Sequence, residues 1–139
     1  MMKISTKGRY GWRILLDLAL YGETPRQMRE IAVSQGISEK YISRLIVPLN
    51  KTGFVRSIRG VKGGFVLAKS PDDITLLAVV EAMEGAVAVV ECVVDKAFCA
   101  KSGDCSACRM WTGLSQEIRQ AMAKITLADL VAAERVKQS

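Results

Sequence analysis

The stretch Ala32-Val-Ser-Gln-Gly36-Ile-Ser38-Glu-Lys40-Tyr-Ile42-Ser43-Arg44-Leu45-Ile46 reads as two helices meeting at a tight turn. Ala32 is small where two helices approach. Gly36, four residues on, supplies the positive φ angle that the turn needs, and Ile42 packs six residues after that. Ser38 is the expected N-cap of the second helix, from Glu39 to about Asn50, which buries Ile42, Leu45 and Ile46. Pro48 predicts a bend or an early last turn. This helix then turns Glu39, Lys40, Ser43 and Arg44 outward.

Upstream, Gln27 to Ser34 forms the first helix of the pair, with Met28, Ile31 and Ala32 inward. Before it, Tyr10 to Tyr21 is a longer helix with Trp12, Leu15, Leu16, Ala19 and Leu20 on one face, ended by Gly22 and Pro25. Downstream, Phe54 to Ile58 and Gly64 to Ala68 are β-branched and aromatic runs around Arg59-Gly-Val-Lys-Gly63, the pattern of a hairpin with a basic, glycine-rich tip. Three short helices and a hairpin, in that order, make a winged helix-turn-helix.

Ser70 to Asp73 is a turn, and Thr75 caps a helix from Leu76 to Glu84 that Gly85 stops. Ala86 to Val90 is small and apolar and fits a strand or a buried loop. Cys92 to Cys108 has no hydrophobic period and reads as a loop. From Arg109 to about Lys124 a long helix is expected, because Met110, Trp111, Leu114, Ile118, Ala121, Met122 and Ile125 recur at steps of three and four. Thr126 to Asp129 opens a short terminal helix with a capping box. The expected fold is therefore mainly α with a small β-hairpin wing. Residues 1–70 form the winged helix-turn-helix, and residues 71–139 the linker helix, cysteine loop and long C-terminal helix.

Charge divides the chain the same way. Residues 1–70 carry thirteen Lys/Arg against four Asp/Glu (+9), and residues 71–139 seven against ten (−3), which together make the net +6. A basic half implies a polyanion partner. Lys40, Ser43 and Arg44 suit phosphate oxygens and guanine edges in a major groove, and Arg56, Arg59 and Lys62 on the hairpin suit the adjacent minor groove. The bland alternative is a solvated basic surface on a generic helical domain. No apolar run is long enough to span a bilayer and no secretory signal is visible, so a cytoplasmic location is expected.

The cysteines follow the pattern Cys92-x6-Cys99-x5-Cys105-x2-Cys108, and the chain has no histidine. In a reducing compartment such clustering favours metal binding or redox sensing over structural disulfides. Four thiolates enclose one zinc ion or one iron–sulfur cluster equally well in number. Zinc folds usually use two C-x2-C knuckles and only Cys105 and Cys108 form one, which leans towards a cluster. Lys96, Lys101 and Arg109 would help hold thiolates deprotonated. A metal-free thiol switch is the third reading. Without a histidine, a phosphate loop or a recognisable carboxylate pair, no enzyme is expected.

These residues resemble the Rrf-two family of IscR-type and NsrR-type winged helix-turn-helix transcription regulators. The resemblance spans nearly the whole chain: Ile4-Ser-Thr-Lys-Gly-Arg-Tyr10, Gln35-Gly-Ile-Ser38 with Tyr41 and Leu45, Gly53 to Gly60, Gly63-Gly-Phe65, the cysteine loop and Ile125 to Leu130. It implies a homodimer built on the long helix, a 2Fe-2S or 4Fe-4S cluster near the dimer centre, and a roughly palindromic double-stranded DNA operator. Three family cysteines correspond to Cys92, Cys99 and Cys105. Cys108 falls where IscR-like members carry a histidine ligand, while the acidic ligand other members place in the first helix is matched here by Arg9. Family DNA contacts map onto Ser38, Lys40, Ser43, Arg44 and Arg59. Ser43 replaces a glutamate used in site discrimination, and Lys62 stands where the wing is often smaller. The alternatives that stay beside this reading are a structural four-cysteine zinc site, a clusterless thiol switch, and a clusterless member that signals by binding a metabolic enzyme.

Overall fold

The computed structural model describes residues 2–98 and 104–138. The chain runs α1 (Thr6–Leu20), α2 (Met28–Gln35), α3 (Glu39–Lys51), β1 (Val55–Ile58), β2 (Gly64–Leu67), a 3-10 turn (Pro71–Asp73), α4 (Leu76–Glu84), α5 (Glu91–Val94), a second 3-10 turn (Lys96–Phe98), α6 (Ser106–Ala123) and α7 (Leu127–Gln138). The mainly helical fold with one two-stranded antiparallel hairpin is as expected. Among the described residues no helix is long and apolar enough to cross a membrane.

The helix-turn-helix forms for the reasons legible in the chain. Gly36 is left-handed (φ +64°) at the C-cap of α2, and the Ser38 hydroxyl accepts from the Tyr41 backbone N–H at 3.1 Å to start α3. The α2 N-terminus carries a reciprocal cap between Gln27 and Glu30. Helix α3 runs through Pro48 to Lys51, close to the end expected near Asn50. Pro48 sits one turn before the end, and the carbonyl it leaves unbonded belongs to the exposed residue Arg44.

Three boundaries depart from the sequence reading. Helix α1 begins four residues before Tyr10, because Ser5 caps it by accepting from the Gly8 N–H at 3.1 Å. The segment from Cys92 to Cys108 is not all loop: α5 and a 3-10 turn form within it, and Cys105 is already the N-cap of α6. Ala86 to Val90 is irregular backbone, so it is neither a strand nor fully buried.

One core joins these elements. Ile14, Leu15 and Leu18 of α1 pack with Ile31, Ile42, Leu45 and Leu49, and also with Ile74, Val79 and Leu127, all 2% exposed or less. Thr75 caps α4, and Thr126 and Asp129 exchange the bonds of a capping box at 2.8 and 3.2 Å to open α7. Gly11 lets the Met83 side chain of α4 approach α1, where a Cβ would stand 3.1 Å from it. Helix α6 is tied to α4 by Arg119 and Glu81 at 2.6 Å.

The wing is anchored from the opposite side. The Arg26 backbone exchanges two hydrogen bonds with Phe65 of β2, at 3.0 and 2.8 Å. Its guanidinium turns inward to Asp17, with Nε–Oδ1 at 2.9 Å, stacks over Tyr21 at 3.7 Å and reaches Glu30 at 3.2 Å. The hydrogen bond to Asp17 holds the Arg26 pKa above its ordinary value against the desolvation that burial imposes. A charge fully buried in α1 is thereby paired with the residue whose backbone bridges to β2 of the wing.

Candidate nucleic-acid interface and cysteine site

On α3, Ser38, Lys40 and Arg44 are exposed and Ser43 is half-buried. The Ser43 hydroxyl donates to the Lys40 carbonyl at 2.6 Å, so in this state it is spent on its own helix. Arg56, Arg59 and Lys62 on the hairpin are exposed too. Among the described residues no carboxylate pairs with Lys40, Arg44, Arg56, Arg59 or Lys62. These cations are free to meet an outside anion. The fold brings Lys40 and Arg44 onto the outer side of one helix, and Arg59 and Lys62 to the end of one ribbon.

Several positioning residues gave no signal in the sequence. Asn50 at the end of α3 donates to Ser57 of β1 at 3.2 Å and ties the helix to the wing. Tyr41 packs edge-on against Tyr10, centroids 5.6 Å apart, and Arg13 lies over the same Tyr10 ring while donating to the Gln35 carbonyl beside the turn. These links join residues whose spacing carries no pattern.

The hairpin register is Val55 opposite Leu67, Arg56 opposite Val66, Ser57 opposite Phe65 and Ile58 opposite Gly64. The Gly63 N–H closes the tip by donating to the Gly60 carbonyl at 3.0 Å. Gly60 has φ +109°, and a Cβ on Gly63 would meet the Ile58 carbonyl oxygen at 2.1 Å. Both glycines are required by the turn.

Of the four sequence-predicted ligands, Cys92 lies on α5, Cys105 occupies the N-cap position of α6 and Cys108 lies in its first turn. Cys99 and the nearby Lys101 lie outside the described residues. The packing of α5 on α6 brings the Cys108 sulfur to 3.7 Å from the Cys92 carbonyl oxygen, where the thiol donates. Cys108 is buried, while Cys92 and Cys105 are half-buried. Among the described residues no three potential ligands already stand at metal-binding separation. The donor set suits a soft metal or a cluster in kind: Cys105 and Cys108 lie at the start of α6, and the Cys92 backbone stands against Cys108. Arg109 faces Asp104 at 3.5 Å rather than the thiols.

Beside this site α6 leaves apolar surface uncovered. Met110, Trp111 and Leu114 are 72%, 42% and 44% exposed, and Ile125 beyond its end is 42% exposed. Of the residues in the apolar stripe read from the sequence, Met122 is buried in its own chain, and the helix buries Cys108 and Ser115 beside it. The Ser115 hydroxyl accepts from the Val89 N–H at 3.0 Å, fastening the approach to α5.

Comparison with known proteins places this geometry. Residues 4–133 match the family model of Rrf2, described as an iron-dependent transcriptional regulator. The HTH-type transcriptional regulator CymR of Bacillus subtilis is 37% identical over 93% of this chain and 89% of that protein. The solved structure of CymR, described as the global cysteine regulator of B. subtilis, has a TM-score of 0.78 at 35% identity, covering 96% of this chain and 98% of that one. The IscR regulator of Erwinia tasmaniensis is 37% identical over 94% of this chain and 79% of its own length. The structure of T. potens IscR has a TM-score of 0.79 at 34% identity over 99% of this chain and 92% of that one.

Proposed function

This chain belongs to the Rrf2 family of transcriptional regulators and is not an enzyme, and from that premise we propose that it is a cytoplasmic homodimer whose affinity for a DNA operator depends on a cysteine-ligated iron–sulfur cluster. The observation that carries the DNA contact is the set of exposed, unpaired cations Lys40, Arg44, Arg59 and Lys62 on the recognition helix and wing tip. Ser38, Ser43 and Arg56 complete the proposed contact set. Residues 1–70 hold the DNA, and residues 71–139 carry the cluster and the dimer helix.

The exposed face of Met110, Trp111 and Leu114 supports a second copy packed along α6. Two copies present two recognition helices and two wings, so operators should be roughly palindromic, with half-sites about one helical turn or a multiple of it apart. Cys92, Cys99, Cys105 and Cys108 would hold the cluster, which when bound supplies iron–thiolate bonds between α5 and the start of α6. The chain's own part is mechanical. Ligation at Cys105 and Cys108 would fix the first turn of α6, Ser115 holds the linker to it, and Arg119 with Glu81 passes its position to α4, which packs on α1. A clusterless thiol switch is the second reading, favoured by the Cys108 thiol facing the Cys92 segment directly. A structural zinc site is the third.

The test of the DNA reading separates two kinds of contact. DNA selected from a random duplex library by the wild-type protein supplies the specific site. Arg59→Ala should cost ~1–3 kcal/mol on that site and much less on random DNA, as for a side chain entering a narrow minor groove. Lys62→Ala should weaken both equally and lower the slope of log affinity against log salt by about one. Equal losses for both variants on both DNAs would reduce the wing to a charged surface.

A further inference from the structure

The wing tip carries a side chain that neither the fold nor the proposed charge contacts explain. In the turn Gly60-Val61-Lys62-Gly63 both glycines are demanded by backbone geometry. Val61 is demanded by nothing in the chain. It is 96% exposed, more than the other exposed large apolar side chains among the described residues, and it stands next to Lys62 and two residues from Arg59. A β-branched apolar group at a turn corner is a poor choice for solubility and adds nothing to the core. The closed turn holds it at the leading end of a basic ribbon.

We propose that Val61 is a specificity-determining residue of the wing, seating its isopropyl group in the minor groove and selecting A·T over G·C pairs there. The inference rests on the DNA-binding reading above. The cations around the tip draw it to a polyanion, and the minor groove is the DNA surface narrow enough to enclose a single tip. The groove walls are sugar C–H groups, against which two methyls gain apolar burial. The gain grows as the walls close in, as they do over A·T tracts. Over a G·C pair the guanine N2 amino group rises from the floor. Valine has no acceptor for it, so that donor loses its water without a new partner. Arg59 reads the negative potential of the narrow groove, and Val61 adds a contact that depends on its floor.

The experiment uses the full chain and the duplex selected from a random library by the wild-type protein. Each A·T pair under the wing is changed in turn to G·C, or to inosine·C, which has a G·C-like major groove but lacks the minor-groove amino group. The wild-type protein should bind the A·T and inosine duplexes equally and the G·C duplex about tenfold more weakly, a difference of ~1.4 kcal/mol. Val61→Ala removes the methyls, and Val61→Thr keeps the shape while replacing one methyl with a hydroxyl. Both should lose most of the affinity for A·T and leave G·C binding within about twofold, with the salt slope unchanged because no phosphate contact is touched. Position 61 is so exposed that neither change should disturb folding. Unchanged discrimination in either variant, or an equal loss on all three duplexes, would overturn the proposal. A wild-type protein that selects no sequence at all would instead overturn the DNA-binding reading beneath it.

Discussion

Replacing Arg26 with alanine is expected to destabilise the fold by about 3–5 kcal/mol, the usual cost of leaving a buried charge without its partner. Asp17 is 0% exposed, and its partner in the structure is the Arg26 guanidinium, itself 10% exposed. The ring of Tyr21 and the Glu30 carboxylate complete the surroundings of that cation. Without it, the Asp17 carboxylate is left fully buried with no cation beside it. The double variant Asp17→Leu with Arg26→Met should recover most of the loss, because replacing both members of a buried pair with apolar groups is often neutral. Urea denaturation of the two variants and the wild type checks this. A loss below about 1 kcal/mol for Arg26→Ala, the range of an exposed ion pair, would mean that water reaches Asp17.

The second large effect is expected at α6. Introducing Met110→Glu with Leu114→Glu should leave each chain folded, since both side chains are exposed in the single chain. It should nevertheless convert a dimer to monomers, because two facing copies of the helix would bury four like charges. Once the two heads are separate, the second one no longer binds as a tethered partner, and operator affinity should fall about 10²–10⁴-fold. Sizing and operator titration on the same samples read both consequences. Dimers that persist with unchanged affinity would place the interface on another surface.

How much of this was legible depends on where the information lies. The turn at Gly36, the caps at Ser38, Thr75 and Thr126, and the stop at Gly85 are local, so their residues announce them within a few positions. The start of α1 was hidden because Ser5 is followed by Lys7, Gly8 and Arg9, which carry no apolar period. What holds that turn is the Glu84 carboxylate accepting from the Ser5 backbone N–H at 2.9 Å, 79 residues away in sequence. Gly8 leaves room for that carboxylate, since a Cβ there would stand 2.8 Å from it and the Glu84 side chain would have to shift. Nothing in the sequence pattern singled out Asp17; only the fold brings Arg26 to it.

The two halves of the candidate site differ in the same way. Recognition-helix and wing cations could be read directly, since exposure on a capped helix and a hairpin tip follows from local pattern. Ser43 was read as a DNA contact, but the sequence could not show that its hydroxyl donates to Lys40 in the free protein. The cysteine spacing pointed to a shared site, yet could not show that Cys105 occupies the N-cap position of α6 or that Cys108 is buried against the Cys92 segment. Those facts arise from the packing of α5 on α6, a contact between two segments that share no period.

The metal state of the cysteine site is expected to set operator affinity. Ligation of Cys105 and Cys108 would fix the first turn of α6, and through α4 and α1 the spacing of the two heads across successive major-groove faces. The direct measurement is operator affinity at one fixed salt concentration for anaerobically purified protein with iron, sulfide and zinc quantified, for the same protein stripped of metal, and for the variant with all four cysteines changed to serine. Circular dichroism and sizing establish that all three are folded dimers. Iron and sulfide in the first sample, with affinities differing on the order of a hundredfold between it and the other two, a coupling of a few kcal/mol, is the expected result. Affinities within about twofold across the set, a difference of only ~0.4 kcal/mol, would contradict it.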